Sequence, residues 1–193
     1  MPEGDTTART AADLRRWIVG KTVTGARPRQ LQRLIGHSVT AVDPVGKHLF
    51  IGFDHGLELH SHMRMTGEWH VYSAGQRWRR GSHRATAILD FGSTQAVLFD
   101  APLIELVAAG RAAVDHLGPD ILAPPVDWAE VLRRAAASDV TTVGELLLDQ
   151  TVCAGIGNIY KCESLFARGI DPWALPTSLP DDALRRCIAQ PRR

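Results

Sequence analysis

Apolar and polar residues alternate along this chain with two different periods. Beyond the first helix, a strand-like period gives way to a helical one after the middle of the chain. Near the N-terminus apolar residues recur at helical spacing, which predicts a helix that Asp5 and Thr6 cap. The apolar stripe of this helix includes Leu14, Trp17 and Ile18. The first element is therefore expected to be an amphipathic helix that packs on a larger body.

From residue 21 to about residue 107 the chain consists of short runs rich in β-branched and aromatic residues, separated by Gly, Asp and Pro. This pattern predicts strands joined by tight turns. The predicted strands cover residues 39–42, 48–53, 57–60, 69–72, 84–91 and 95–99. So many closely spaced strands favour a sandwich of two sheets, with the first helix laid against it.

After residue 118 the periodicity becomes helical, with predicted helices over residues 127–137, 143–150, 158–168 and 180–189. Strands followed by helices, without alternation, indicate an α+β chain of two domains. We expect an N-terminal β-sandwich domain with a flanking helix over residues 1–115. An all-α domain is expected over residues 116–193.

The amino-acid composition limits the classes of protein to which this chain can belong. A hydrophobic content of 45% and a charged content of 22% are ordinary for a globular protein. The sequence has neither a long apolar run nor a signal-like N-terminus, so a cytoplasmic protein without a membrane partner is expected. The odd count of 3 cysteines gives no disulfide framework or four-cysteine zinc site, and Cys153 and Cys162 are expected to be buried. A net charge of +1 argues mildly against nucleic acid.

The N-terminal Pro2 and Glu3 are the sharpest candidates for chemistry. Removal of Met1 would leave Pro2 with a free secondary amine, and an α-amino group titrates far below a lysine, so much of it is nucleophilic at neutral pH. Attack on a sugar C1′ by this amine would give an iminium ion that acidifies C2′, and Glu3 could shuttle a proton. Many proteins begin with Met-Pro and make no use of it, so these residues alone favour no function.

A Gly-x-Gly-Asn turn that ends at Asn158 lies between two predicted helices. Backbone N–H groups at a helix start favour an anion, and the Asn158 amide can donate to a phosphate oxygen. A plain joint between helices, with Asn158 as the cap, is an equal alternative at this point.

Five motifs in a fixed order resemble one family. They are MPEGDT (1–6), VGKHLF (45–50), HSHMRMTG (60–67), HLGPD (116–120) and LLLDQTVCAGIGNIY (146–160). They are similar to the catalytic N-terminus, the catalytic-lysine strand, the lesion-probing loop, the interdomain linker and the helix-two-turns-helix of the formamidopyrimidine-DNA glycosylase/endonuclease VIII family. The resemblance identifies the all-α domain as a helix-two-turns-helix domain. It implies a DNA-repair glycosylase and abasic-site lyase.

The resemblance also implies roles for individual residues. Pro2 would be the Schiff-base nucleophile, Glu3 the proton donor and acceptor, and Lys47 a phosphate contact that assists elimination. The implied DNA-binding residues are His62, Arg64, Met65, Thr66, His116, Asn158 and Lys161. Met65 would wedge into the gap left by an everted base, although a core methionine and a satisfied sheet histidine at His62 are the structural alternatives.

The resemblance favours the endonuclease VIII branch, which removes oxidised pyrimidines, because residues 100–104 lack the Arg and Phe typical of the other branch. Family members usually continue with a four-cysteine zinc finger. This sequence has no such cysteines, so no cofactor is expected. Damaged DNA is the expected partner of a monomer. The alternative is a truncated protein that binds DNA or abasic sites with little turnover.

Overall fold

A computed structural model describes residues 2–189. The chain folds into two compact units, Met1–Ala112 and Ala113–Arg193. The first unit combines one helix with two sheets, and the second is helical between its loops. This is the predicted α+β class.

The N-terminal unit contains helix α1 and two antiparallel sheets of four strands each. The elements are α1 (Gly4–Ile18), β1 (Gly25–Arg27), β2 (Val39–Val45), β3 (His48–Phe53), β4 (Leu57–His62), β5 (Glu68–Ser73), β6 (Ala85–Asp90), β7 (Thr94–Phe99) and β8 (Leu103–Ala108). The strand orders are β1-β6-β7-β5 in one sheet and β2-β3-β4-β8 in the other. A 3₁₀ helix, Arg29–Leu34, follows β1.

Helix α1 packs one face on the sheets, as predicted, but it begins earlier than predicted. Glu3 rather than Asp5 or Thr6 precedes the first helical residue, so the predicted cap was wrong. The buried face includes Ala11, Leu14 and Ile18. Trp17 is 47% exposed and lies under the Arg16 guanidinium, because the apolar stripe is narrower than helical spacing alone suggested.

The inner faces of the two sheets and of α1 form one core. Side chains of a strand alternate between faces, and the inward positions of β3 and β4 are Leu49, Ile51, Phe53 and Leu59. Met63 and Trp69 join the same cluster, where Trp69 Nε1 donates to Ser61 Oγ at 3.2 Å. The side chains of these strands therefore alternate between the two faces of the sheet, as predicted.

Two strands were not predicted. Strand β1 has only three residues, which is too short for a periodic signal. Strand β8 begins after Pro102 and runs next to β4, with Glu105 opposite His60. Its leucines and valine are half-buried on both faces, so no polar–apolar alternation marks it in the sequence.

Four helices build the second unit: α2 (Trp128–Ala137), α3 (Val143–Leu148), α4 (Asn158–Arg168) and α5 (Asp181–Ile188). Each of the first two has a capped start. Asp127 accepts from the Glu130 amide at 3.0 Å, and Thr142 forms a capping box with Glu145. The apolar faces meet in a second core that includes Val143, Leu147 and Leu165. No helix among residues 2–189 is both long and apolar enough to cross a membrane.

One prediction of burial in this unit was wrong, and one tryptophan is exposed. Cys162 lies on the exposed face of α4, whereas Cys153 is buried in the turn that precedes the helix. Trp173 is 79% exposed. Cys162 lies in a segment with helical spacing of apolar residues, and the spacing alone did not show that its side chain faces outwards.

Arg111 connects three strands of the second sheet from the loop after β8. Its Nη2 lies 2.6 Å from Asp43 Oδ2 on β2, and its Nε lies 3.3 Å from Glu58 Oε1 on β4. The guanidinium also lies over the Phe50 ring of β3, 5.2 Å from the centroid. Glu58 is 7% exposed, and its Oε2 has no hydrogen-bond partner among the described residues. The buried carboxylate therefore depends on Arg111.

Replacement of Arg111 is expected to destabilise the N-terminal unit. Arg111→Met keeps the apolar contact with Phe50 but leaves Glu58 without its cation, which should cost about 2–3 kcal/mol of unfolding free energy. Urea unfolding followed by tryptophan fluorescence measures this difference. The matched control is Arg9→Met, which removes an exposed pair with Asp5 and should cost below about 0.5 kcal/mol. Equal effects of the two variants would contradict the assigned role.

Candidate active site

Pro2 and Glu3 lie at the N-terminal end of helix α1. Glu3 is 5% exposed, and its carbonyl oxygen accepts from both the amide and the hydroxyl of Thr7 at 3.0 Å. Pro2, which is half-buried, precedes it directly. The positive end of the helix dipole lies here and disfavours a further positive charge on a nearby amine.

The loop after β4 separates two methionines with opposite environments. Met63 is 2% exposed and belongs to the core, whereas Met65 is 65% exposed at the loop tip. The Gly67 amide donates to the Met63 carbonyl at 2.8 Å, and a Cβ on Gly67 would lie only 2.5 Å from that oxygen. Arg64 has a positive φ of 51°. The loop is thus a tight turn that exposes residues 64–66.

One cavity joins the chain start to this loop. It has a volume of about 450 Å³, and Pro2, Met65 and Thr66 all line it. Its other lining residues are Thr6, Thr10, Met63, Gly67, Glu68, Arg80 and Arg84. The structure therefore brings together an N-terminal residue and a loop that are some sixty positions apart in the sequence.

The arginines of this cavity are paired with carboxylates. Arg84 Nη2 lies 2.7 Å from Asp100 Oδ2, and its hydrogen bond holds the pKa of Asp100 below the ordinary value. Arg80 pairs with both Glu68 and Asp100. A DNA strand would have to compete with these carboxylates for the two arginines.

Lys47 occupies the turn between β2 and β3. Val45 pairs with His48, so Gly46 and Lys47 form a two-residue hairpin turn, and Gly46 has a φ of 57°. A positive φ at the first central position is the pattern of a type II′ turn. His48 is in turn opposite His62 on β4, so Lys47 and His62 lie at the same end of the sheet.

His62 is neutral at physiological pH. Burial, with the charges of Arg64 and Lys47 nearby, lowers the pKa of His62 from 6.5 to about 4. Its Nδ1 accepts from the Arg64 amide at 3.0 Å, so the ring proton of the neutral form is on Nε2. His62 can therefore donate one hydrogen bond from Nε2, for example to a phosphate oxygen.

A chain of hydrogen bonds that sequence reasoning missed also reaches this end of the sheet. His60 Nδ1 lies 2.9 Å from Glu105 Oε1, and His60 Nε2 lies 2.8 Å from His48 Nδ1. The His48 and His62 rings meet edge to face with centroids 4.6 Å apart. The spacing of His60 and His62 placed both on one face of β4, but the contribution of Glu105 depended on the unpredicted strand β8.

In the helical unit, Asn158 is the first residue of α4, after a loop that Gln150 organises. Gln150 Nε2 donates to the Ile156 carbonyl at 3.0 Å, and its Oε1 accepts from the Gly155 amide at 3.2 Å. Lys161 Nζ donates to Asn158 Oδ1 at 2.7 Å. The Lys161 contact orients the amide so that its NH₂ group is the donor that remains for a ligand.

His116 is exposed at the start of the linker segment of the helical unit. Its carbonyl accepts from Arg134 Nη1 at 3.4 Å, and the same nitrogen donates to the Thr151 carbonyl at 2.8 Å. Gly118 lies so close to Val152 that a Cβ would be 2.3 Å from its carbonyl oxygen. The segment is therefore fixed against the turn before α4.

Three potential metal ligands, His37, Asp54 and His55, meet at the far end of the same sheet. The two imidazoles stack with centroids 3.6 Å apart and planes inclined by 14°. A metal ion binds close to the plane of an imidazole ring, and two planes inclined by only 14° at this separation do not meet within bonding distance of the rings. The arrangement fits a stacked pair held by the 2.8 Å contact of His37 with Asp54 better than a metal site.

Comparison with known proteins decides the family. The model of the formamidopyrimidine-DNA glycosylase N-terminal domain matches residues 1–102, and that of the formamidopyrimidine-DNA glycosylase H2TH domain matches residues 117–191. The chain belongs to the formamidopyrimidine-DNA glycosylase/endonuclease VIII family. It is thus assigned to a family of DNA-repair glycosylase/abasic-site lyases, as the five motifs predicted.

Relatives within this family carry endonuclease names. "Probable endonuclease 8 2" of Streptomyces coelicolor is 40% identical, over 96% of this chain and 70% of that protein. "Endonuclease 8 2" of Mycobacterium tuberculosis is 39% identical, over 100% of this chain and 77% of that protein. "DNA-(apurinic or apyrimidinic site) lyase Nei2" of Mycolicibacterium smegmatis is 36% identical, over 96% of this chain and 73% of that protein.

Solved structures of the family have the same fold. A complex between the wild-type Lactococcus lactis Fpg (MutM) and a DNA that contains N7-benzyl-Fapy-dG superposes with a TM-score of 0.84 at 21% identity. The match covers 97% of this chain and 75% of that chain. The sandwich and the helix-two-turns-helix are therefore the architecture of the family.

The low pKa of His62 predicts a pH dependence of stability. The unfolded histidine binds a proton near pH 6.5 and the folded one only near pH 4, so stability decreases as the pH falls through this window. His62→Asn keeps an acceptor for the Arg64 amide but does not titrate. Between about pH 7 and pH 4, the unfolding free energy of His62→Asn should fall by about 1–2 kcal/mol less than that of wild type. This figure is reduced because His62 is only partly buried and solvent screens its charge.

Urea midpoints across this pH range measure the effect. His83→Asn, at an exposed histidine of the same unit, is the control and should follow wild type. A His62→Asn profile that coincides with wild type would show that His62 is not held neutral by the fold.

Proposed function

We propose that this protein excises oxidised pyrimidines from DNA and cleaves the strand by β-elimination through a Schiff base at Pro2. The observation that carries the proposal is the cavity of about 450 Å³ that joins Pro2 to the exposed loop residues Met65 and Thr66. A base everted from the stack needs such a space next to a nucleophile.

The chemistry begins with the secondary amine that Pro2 has once Met1 is removed. Attack on C1′ forms a C–N bond, and the base leaves with the electron pair of its glycosidic bond. The C1′–O4′ bond then opens, its electrons and a proton going to O4′, while the nitrogen loses its N–H proton and forms the C1′=N⁺ iminium. The iminium acidifies the C2′ proton, and loss of that proton expels the 3′ phosphate with the electrons of the C3′–O bond. Glu3, buried beside Pro2, moves the protons that ring opening and base departure require. These steps need no metal or organic cofactor.

The remaining assignments concern DNA. Lys47 and the neutral Nε2–H of His62 would bind backbone phosphates at one end of the sheet. In the helical unit the phosphate ligands would be Asn158, Lys161 and His116. Met65, with Arg64 and Thr66 at its sides, would fill the gap left by the everted nucleotide, since its exposed side chain is free of the core.

The preference for oxidised pyrimidines has two supports. The relatives cited above with the highest identities carry endonuclease 8 names. The stretch from Asp100 to Leu103 leads into strand β8 without the Arg and Phe side chains that the other branch uses. We propose that the protein acts as a monomer on chromosomal DNA in the cytoplasm.

Borohydride trapping tests the nucleophile. Wild-type protein is mixed with labelled duplexes that contain an abasic site, an oxidised pyrimidine or 8-oxoguanine, and the imine is reduced to a stable amine. We expect a covalent adduct on the first two substrates, and peptide mapping should place it on Pro2. Mass spectrometry of the free protein should show that Met1 is absent.

The controls separate Pro2 from other amines. Pro2→Gly and a chain extended by Met-Arg before Pro2 should form little adduct, whereas Lys47→Gln should still be trapped at Pro2. Binding to the abasic-site duplex without any wild-type adduct would favour the alternative, a DNA-binding protein with little turnover. An adduct mapped to Lys47 would refute the assigned nucleophile.

Met65→Ala should separate base excision from strand cleavage. The side chain is 65% exposed, so its removal should change stability by less than about 0.5 kcal/mol. Without the Met65 side chain, nothing fills the gap left by the everted base, so excision of an oxidised pyrimidine should slow about tenfold or more. The rate of cleavage at a preformed abasic site should stay within about threefold of wild type. Single-turnover rates on the two substrates measure this, and equal losses on both would contradict the wedge role.

A further inference from the structure

The outer face of strands β3, β4 and β8 carries a hydrogen-bonded carboxylate–imidazole–imidazole chain. Glu105 is directly opposite His60, and His60 is opposite Phe50, two residues from His48 on the same face. The His60 side chain is 2% exposed, and the Phe50 ring stacks on it with centroids 4.5 Å apart. We call Glu105, His60 and His48 the relay.

The polarity of the relay follows from the carboxylate. An ionised Glu105 only accepts hydrogen bonds, so the proton in its 2.9 Å contact with His60 belongs to His60 Nδ1. A neutral His60 then offers a lone pair on Nε2, which accepts from His48 Nδ1–H at 2.8 Å. The relay thus orients His48 with Nδ1 as donor, so a second proton on His48 would be carried by Nε2.

The surroundings of His48 make a proton on Nε2 costly without this support. Lys47 is its neighbour in the chain, and Lys47 and Arg64 both act on His62, whose ring contacts His48. An imidazolium among these cations is repelled. The relay connects the negative charge of Glu105 to His48 through His60, from the side of His48 that carries Nδ1.

We infer that His48 is an additional phosphate-binding cation of this enzyme, and that His60 and Glu105 are positioning residues that favour its protonated form. The inference rests on the proposed function only in that the ligand is the DNA backbone. Other charged groups on this face of residues 2–112 include Asp43 and Glu58, which both pair with Arg111. Arg15 of helix α1 also contacts Asp43, at 3.5 Å. His62, with a pKa of about 4, stays neutral through the relevant pH range.

The test uses a duplex with a tetrahydrofuran abasic-site analogue, which the protein can bind but not cleave. Affinity is measured from about pH 5.5 to pH 8 at constant ionic strength. Glu105→Gln removes a negative charge from the protein, so general electrostatics alone would strengthen binding. The relay predicts the opposite sign: binding at about pH 6 should weaken about three- to tenfold, and the pH midpoint should move lower.

The chain provides a matched control in Asp54→Asn. Asp54 is also a partly exposed carboxylate, 44% against 45% for Glu105, and it contacts a histidine Nδ1 at 2.8 Å, but at the opposite end of β3 and β4. Asp54→Asn should leave the affinity unchanged or slightly higher. His48→Gln should abolish the part of the pH dependence that Glu105→Gln shifts.

Nitrogen-15 NMR of the imidazoles gives a second readout that needs no DNA. We expect His60 to carry its proton on Nδ1 and His48 to take up its second proton on Nε2, at lower pH in Glu105→Gln than in wild type. Binding by Glu105→Gln that equals or exceeds that of Asp54→Asn would overturn the inference. If these binding and NMR results are obtained but no borohydride adduct forms at Pro2, the proposed catalysis is refuted and the role of His48 is not.

Discussion

The alternation of side chains along β3 and β4 is the constraint on which both the core and the candidate site depend. Leu49, Ile51 and Leu59 point into the sandwich and are buried with α1. The residues between them carry imidazoles and a carboxylate of the outer face, Glu58, which Arg111 pairs with Asp43 of β2. Because the period of a strand is two, a shift of register by one residue would exchange the two faces. Stability and chemistry are therefore fixed by the same pairing.

Much of this arrangement could be predicted from the sequence because the signals are local. Helix α4 occupies the predicted residues 158–168, and β3 the predicted residues 48–53. Both lie between turn residues and have a clear period. The order of the five motifs predicted the family, which the domain matches confirm. The roles of Pro2 and Asn158 remain predictions, although the structure places both at helix starts.

The features that were missed depend on contacts distant in sequence. Glu105 has no periodic neighbours that mark it, and only the pairing of β8 with β4 brings it to His60. Whether Trp17 and Cys162 are buried depends on which face of a helix meets a partner, and a short apolar run does not specify that face. The arginine pairs with Asp100 likewise join separate strands and loops. Local pattern predicts the elements, whereas their pairing determines the electrostatics.

The turn closed by Gly67 has a consequence for how such proteins diverge. The core methionine Met63 and the glycine amide fix both ends of the loop, and no side chain fits at Gly67. The three residues between them are exposed, and only Arg64 of the three has a positive φ. Substitutions at Met65 and Thr66 can therefore change the surface that this loop presents, while the packing of the sandwich beneath it stays the same.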